Sequence, residues 1–395
     1  MHFLKSLSKL LLGSLLLSNL QASNNFDEEI LSDTRKKTFD LNEKQIKEDS
    51  LKLKKDWINP INLQYTKYLG EDYKNEKSLI SINQPIFRSG GIYQAIKYAD
   101  STYDSSSIQI DQEKKKLIKE AIKLLYSIEK TELNIKKTKL SVLNAKIDVD
   151  RKKEQVLNGF LDSSFLDNAL LTLNDSKQSL VTLKYQKIEY INNFNNISSK
   201  DYSKFDLPKF EFFNEKEFIQ KNIDLAKAKA DITKDENFKY ITIAKYLPSV
   251  NAFYNYSKNH YTNGKPGLAN SYEQDFGLSV TVPLDTRTFN DIESKKIEAL
   301  KSKLAYTNKV EDEKTFYKNQ VQKINMLEER ITITKEDLGL YNSILTIIKE
   351  EKEAQLKTQS DLDTLQNSQK IKSLDLKLFE IDRQMELLEL YAKLK

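Results

Sequence analysis

The chain has 395 residues, with 63 Lys and Arg against 58 Asp and Glu, two histidines and no cysteine. Charge this balanced and this interspersed belongs to solvated helix faces and excludes a nucleic-acid-binding stripe. The lack of cysteine excludes a disulfide framework, the usual zinc sites and a cysteine for lipid attachment.

Residues 1–22 read as an export signal peptide. Lys5 and Lys9 form its positive start, Leu10 to Leu17 its apolar core, and Leu20-Gln21-Ala22 a cleavage site. The apolar core is too short for a transmembrane helix. His2 leaves with this leader, and His260 at a strand end reads as a loop-edge residue rather than as part of a Ser-His-Asp arrangement. Walker and dinucleotide-type glycine motifs are absent. No enzyme, cofactor or metal site is expected. Beyond the leader no segment is apolar for 18 residues, so any membrane contact must come from strands.

Residues 26–56 are expected to form a polar helix. Strand one follows over 61–69, with Ile61, Leu63, Tyr65 and Leu69 on one face and Asn62, Gln64 and Thr66 on the other. After a turn at 70–77, strand two covers 78–87 and runs into Pro85. Long helices are then expected at 92–157 and 162–197. The unit recurs: strands at 249–258 and 275–284, a turn at 261–273, Pro283, then helices at 286–351 and 360–394. The chain therefore divides into a first repeat over 23–208 and a second over 209–395. In strand three Val250, Ala252, Tyr254 and Tyr256 share a face, with Phe253 as the exception. Strand four sets Phe276, Leu278, Val280, Val282 and Leu284 against Gly277, Ser279 and Thr281.

The helices carry coiled-coil periodicity. Val310, Tyr317, Ile324, Ile331, Leu338 and Leu345 recur at sevens, with Leu327, Thr334, Tyr341 and Ile348 interleaved. Leu374, Ile381 and Leu388 repeat this against Ile371, Leu378 and Met385. Alternating strands fit either a soluble sheet or a barrel between lipid and a wet lumen. Four strands cannot close a membrane barrel within one chain, and an open edge cannot face lipid. If the strands are in a membrane, the protein must be an oligomer: two chains supply eight strands, three supply twelve.

Gln84-Pro85-Ile86-Phe87-Arg88-Ser89-Gly90-Gly91 followed by Ala95 and Ala99, then Tyr246-Leu247-Pro248, and Gly159 leading to Leu166-Asp167-Asn168-Ala169 carry a family resemblance. Over essentially all of the mature chain the sequence resembles the TolC-like outer-membrane efflux proteins. The second copy departs from their pattern. Asp285-Thr286-Arg287 stands where a glycine pair is usual, and Gln355 stands where the tip glycine is usual, which predicts a second turn that is looser or of a different geometry. The chain also ends within its last helix, so a smaller terminal addition around the helices is expected.

The resemblance implies an α+β membrane protein: a homotrimer sharing a 12-stranded β-barrel, four strands per chain, continued by an α-helical coiled-coil tunnel through the periplasm. It implies an outer-membrane exit duct of a tripartite efflux or type I secretion system, passive toward small molecules or proteins. Its partners would be outer-membrane lipid, a periplasmic adaptor and an inner-membrane pump of RND (proton-driven) or ABC (ATP-driven) type. The turns at 70–77 and 261–273 would face outside, and the tips at Gly159 and Gln355 would meet the adaptor. Asp361 and Asp363 would ring the pore gate, with Lys357 bonding between tip helices. Two other classes remain: a periplasmic adaptor, which should show one hairpin flanked by lipoyl-like strands, and an exported structural coiled coil, which needs no strand pairs.

Overall fold

The computed structural model describes residues 29–69, 75–262 and 271–395. The elements are α1 (Asp33–Lys55), β1 (Asn62–Lys67), β2 (Asn75–Phe87), α2 (Gly91–Leu157), α3 (Ser163–Ile197), α4 (Glu215–Lys221), α5 (Ile223–Lys245), β3 (Ser249–Thr262), β4 (Tyr272–Thr281), α6 (Thr288–Glu353) and α7 (Gln359–Tyr391). Residues 1–22, read as a leader, lie outside the described residues, as do the turn centres at 70–74 and 263–270. No helix among the described residues is long and apolar enough to cross a membrane. Among the described residues two compact units are formed: one from residues 29–39, Gln112–Asn222 and Glu313–Lys395, the other from within Asp40–Asp111 and Ile223–Asp312.

The second unit holds a single antiparallel sheet of order β1-β2-β3-β4. Its central pairing joins strands from different halves of the sequence, with Ser81 opposite Asn255 and Ile82 opposite Tyr254. β2 carries Pro85, which cannot donate to a ladder. The register shifts between Pro85 and Phe87, and β1 pairs with β2 only as far as Ser81. Past that point the Gln84 amide takes over, accepting from Asn59 N at 2.9 Å and donating to Asn59 O. β4 stops at Thr281, short of Pro283, rather than running on to residue 284. Beside the sheet, Asn237 Nδ2 donates to Ser101 Oγ at 3.2 Å, Ser105 Oγ to Asp231 at 2.6 Å, and Lys54 pairs with Asp100 at 2.5 Å.

The first unit is a row of helices in the order α3-α2-α7-α6. α3 packs on α2 through Ala145 and Val149 against Ala169 and Leu173, with Lys187 and Glu132 paired at 3.3 Å. α2 meets α7 along a ladder of seven-residue steps: Lys130–Asp382 at 2.5 Å, Lys137–Asp375 at 2.6 Å, Asn144 with Ser368 at 3.4 Å and Asn367 at 2.9 Å, and Arg151–Asp361 at 3.1 Å. Each half-exposed ion pair contributes only about 0–1 kcal/mol, so the ladder fixes register while apolar burial supplies most of the stability. α7 then meets α6 through Lys372–Asp337 at 2.9 Å and Arg383–Glu328 at 3.0 Å.

The heptad seam of α6 follows the sequence expectation, with Tyr317, Ile324, Leu327 and Thr334 buried. Glu313 and Gln320 also lie buried on that seam. Glu313, 2% exposed, accepts from Asn222 Nδ2 at 2.9 Å and pairs with Lys393 at 2.7 Å, which is how a buried carboxylate is tolerated there. Aromatic residues of the segment after α3 fill the rest of the core. Phe205 meets Phe194 edge-on, and Phe213 and Phe218 stack beside Tyr317, whose hydroxyl donates to Phe213 O at 2.6 Å.

Candidate functional site

The register separates the sheet into two chemically distinct faces. Directly paired residues share a face, so Leu63, Ile80, Tyr256 and Gln274 form one row and Ile82, Tyr254 and Phe276 the next. This face is apolar and open: Leu63, Tyr65, Phe276, Leu278 and Val280 are all 60–82% exposed. The opposite face carries Asn62, Ser81, Asn255 and Asp275 in one row. There Ser81 Oγ donates to Asn255 Oδ1 at 2.8 Å, and Asn255 Nδ2 donates to Asp275 at 3.1 Å. Phe253 breaks the alternation because its ring lies over Gly277, where an added Cβ would come within 2.9 Å of it. Among the described residues, the outer edges of β1 and β4 have no strand partner.

The hairpin tips lie in the other unit and are built alike. α2 ends with Gly159 at φ +74°, Phe160 N donating to Gln155 O at 2.9 Å and Gly159 N to Val156 O at 3.0 Å. α6 ends with Gln355 at φ +61°, Leu356 N donating to Glu351 O at 2.8 Å and Gln355 N to Lys352 O at 2.9 Å. Both are Schellman closures. The looser or altered second turn expected from the missing glycine does not occur, because the same two hydrogen bonds hold glutamine in the left-handed region.

Each following helix has its own cap. Asp162 caps α3 by accepting from Ser164 N at 2.8 Å. Thr358 and Asp361 form a capping box on α7: Asp361 N donates to Thr358 Oγ1 at 3.2 Å, and Thr358 N donates to Asp361 Oδ2 at 3.1 Å. The other Asp361 oxygen takes the Arg151 guanidinium at 3.1 Å. Hydrogen bonding from Thr358, reinforced by Arg151 and Lys357, holds the Asp361 carboxyl below the usual carboxylate range. Asp363 sits two residues on, one turn beyond Gln359, and accepts from Gln359 Nε2 at 2.6 Å. Lys357 is exposed beside the cap. The sequence reading missed Arg151, although the spacing of Lys130, Lys137, Asn144 and Arg151 at sevens carries the signal. Apolar side chains crowd the first tip, with Leu157, Phe160 and Phe165 at 76%, 81% and 50% exposure, whereas the second shows Leu356 alone at 74%.

An open four-stranded sheet with one bare apolar face and two long helical hairpins in the same chain is a fold shared with solved outer membrane channels. No protein-family profile matches the chain, and no curated protein sequence does. Solved structures do. An outer membrane protein from Vibrio cholerae, VceC, superposes with a TM-score of 0.71 at 13% identity over 94% of this chain and 96% of that one. A membrane protein from Pseudomonas aeruginosa gives 0.73 at 12% identity, covering 94% and 89%. The Campylobacter jejuni CmeC outer membrane channel gives 0.70 at 12% identity, covering 94% and 84%. What these likenesses establish is the fold.

Proposed function

We propose that the chain is one protomer of a passive exit duct in the outer membrane. Three copies would close a 12-stranded barrel, and their helical hairpins would form a tunnel reaching into the periplasm. The bare apolar face of the sheet, bounded by two unpaired edges, carries this reading. Lipid tolerates that face but not the unpaired backbone groups, and strand pairing with further copies removes the edges. The outermost helices of the row agree with it. On α6, Met326, Ile333, Leu340 and Ile347 recur at sevens with 43–64% exposure, and on α3 Val181, Tyr185 and Ile188 are 51–70% exposed. Two different apolar stripes at the two ends of one row suit head-to-tail packing that closes into a ring.

In that ring the tips at Gly159 and Gln355 would engage a periplasmic adaptor and, through it, an inner-membrane pump that supplies the energy. Phe160 and Phe165 make the first tip the stronger apolar anchor. Asp361 and Asp363 would line the gate and favour cations, with Lys357 bridging neighbouring tips. Of the two acids Asp363 is the cleaner test, because Asp361 is tied into its cap and to Arg151. Asp363→Asn should lower cation selectivity in a planar bilayer; selectivity equal to the parent removes the gate assignment.

The deciding experiment on the duct is extraction from outer membranes in mild detergent followed by single-particle imaging. A three-fold particle with a short barrel and a helical tube is the expected result. A soluble monomer absent from the membrane fraction would overturn the reading.

A further inference from the structure

The apolar face of the sheet does not stay apolar to its end. Along β3 and β4 it runs from Val250 and Val280 through Tyr254 and Phe276 to Tyr256 and Gln274, then meets Lys258 and Tyr272. From Val250 to Lys258 is eight residues, about 27 Å along a strand at ~3.4 Å per residue. With the tilt usual for membrane barrels, this comes close to the ~25 Å height of a lipid-facing band.

At its far end a compact polar group interrupts the face. His260 occupies the register shift opposite Glu76 and Lys77 and so shares the side of Ser78 and Tyr65. Its Nε2 lies 2.8 Å from Ser78 Oγ, and its ring centroid lies 6.2 Å from that of Tyr65. Lys67 and Glu76 pair across β1 and β2 at 2.7 Å and neutralise one another. Lys258, directly opposite Ser78, has no carboxylate partner among the described residues. Tyr256 and Tyr272 stack beside it at 6.4 Å.

We propose that Lys258, with Ser78 and His260 beside it, binds the phosphate of a lipid headgroup where the apolar band of the sheet ends. The site rests on the barrel reading and adds a ligand to it. An unmatched ammonium among tyrosines, at the boundary between an apolar band and the strand ends, lies where headgroup phosphates lie. Among the described residues its charge has no carboxylate partner, whereas the neighbouring Lys67 is already satisfied by Glu76. In a bilayer the tyrosines would place their rings on the apolar side and their hydroxyls at the polar boundary. A phosphate there would take the lysine ammonium and the serine hydroxyl as donors.

The test uses the full-length protein reconstituted into vesicles of phosphatidylcholine, alone or mixed with phosphatidic acid. Lipid retained after gentle detergent extraction is counted by native mass spectrometry. The parent should retain phosphatidic acid preferentially. Lys258→Gln should reduce that preference about fivefold, the effect expected of one lysine near a charged lipid surface, and Lys258→Arg should keep it. Lys77→Gln removes the same charge from the opposite, polar face and should leave retention unchanged. Equal retention by parent and Lys258→Gln overturns the site, as does an equal loss in Lys77→Gln. Insertion of the parent into pure phosphatidylcholine reports separately on the barrel. If the parent enters no vesicle, the barrel reading fails and takes the headgroup site with it.

Discussion

The two halves of the chain reach the same turns with different chemistry. The first half relies mostly on glycine: Gly90 and Gly159 both adopt positive φ, with Ser89 beside Gly90 also at +45°, and Gly91 sits where a Cβ would lie 2.9 Å from Ala244 Cβ. The second half uses side chains. At its strand-to-helix turn Arg287 N donates to Asp285 Oδ1 at 2.9 Å, and the Arg287 guanidinium returns to the same carboxylate at 2.7 Å. Among the described residues no positive φ occurs between Thr281 and Thr288. At the second tip Gln355 accepts the left-handed conformation itself. The fold thus constrains the hydrogen bonds of each turn more tightly than the residue that makes them.

The strands provide the largest expected effect on this comparison. Ile82 and Val280 stand three residues before Pro85 and Pro283 on the same apolar face. If that face meets lipid, Ile82→Arg and Val280→Arg should each destabilise by roughly 2–4 kcal/mol in denaturant titrations of the reconstituted protein. Harmless substitutions at both would place the face elsewhere. Gly91→Ala should cost about 1–3 kcal/mol through the clash with Ala244, seen as a lowered unfolding midpoint.

The tips make a paired test with opposite signs. Gly159→Ala should destabilise by about 1–2 kcal/mol, and Gln355→Gly should stabilise by up to a similar amount, since a side chain in the left-handed region carries that penalty. Two changes of the same sign would mean that the shared hydrogen bonds do not impose the shared backbone. The smallest effect concerns acid. Hydrogen bonding from Arg287, side chain first and then backbone, brings the Asp285 carboxyl down to about 2 from the usual carboxylate value. A depressed pKa stabilises the folded state above the ordinary carboxylate range, and the contribution fades as pH falls toward about 2. Hydrogen exchange at Arg287 and Thr288 should therefore accelerate in that acid window, and Asp285→Asn should flatten the dependence. The glycine-built turn at Gly90 should show no matching change.

Much of this architecture was legible because it is periodic. Alternation placed the apolar and polar strand faces, and the heptads of α6 and α7 placed the seam. Two kinds of feature escaped. One is α5, whose Leu225-Ala226-Lys227-Ala228-Lys229-Ala230 alternates at period two and so hides a helix behind a strand-like pattern. The other is polar residues within apolar seams. Glu313 and Gln320 sit at heptad positions and look solvent-facing until Asn222, Lys393 and Glu386 are brought to them by the fold. Arg151 belongs with these: its partner Asp361 lies on a helix from the other half of the sequence, and only the antiparallel ladder brings the two together. The capping box at Thr358 and Asp361, in contrast, is a local spacing that the sequence displays outright.

The central pairing of the sheet has a kinetic consequence. β2 finds its partner β3 only after the α2–α3 hairpin, α4 and α5 have all been made, so the contact closes a loop of well over a hundred residues. Such distant pairings are slow to form, while helices close through near neighbours. The helical hairpin of the first half can therefore assemble early, with β1 and β2 waiting as an exposed two-stranded ribbon of marginal stability. Until Ser249–Thr262 arrives to cover its edge, that ribbon is the segment most in need of protection.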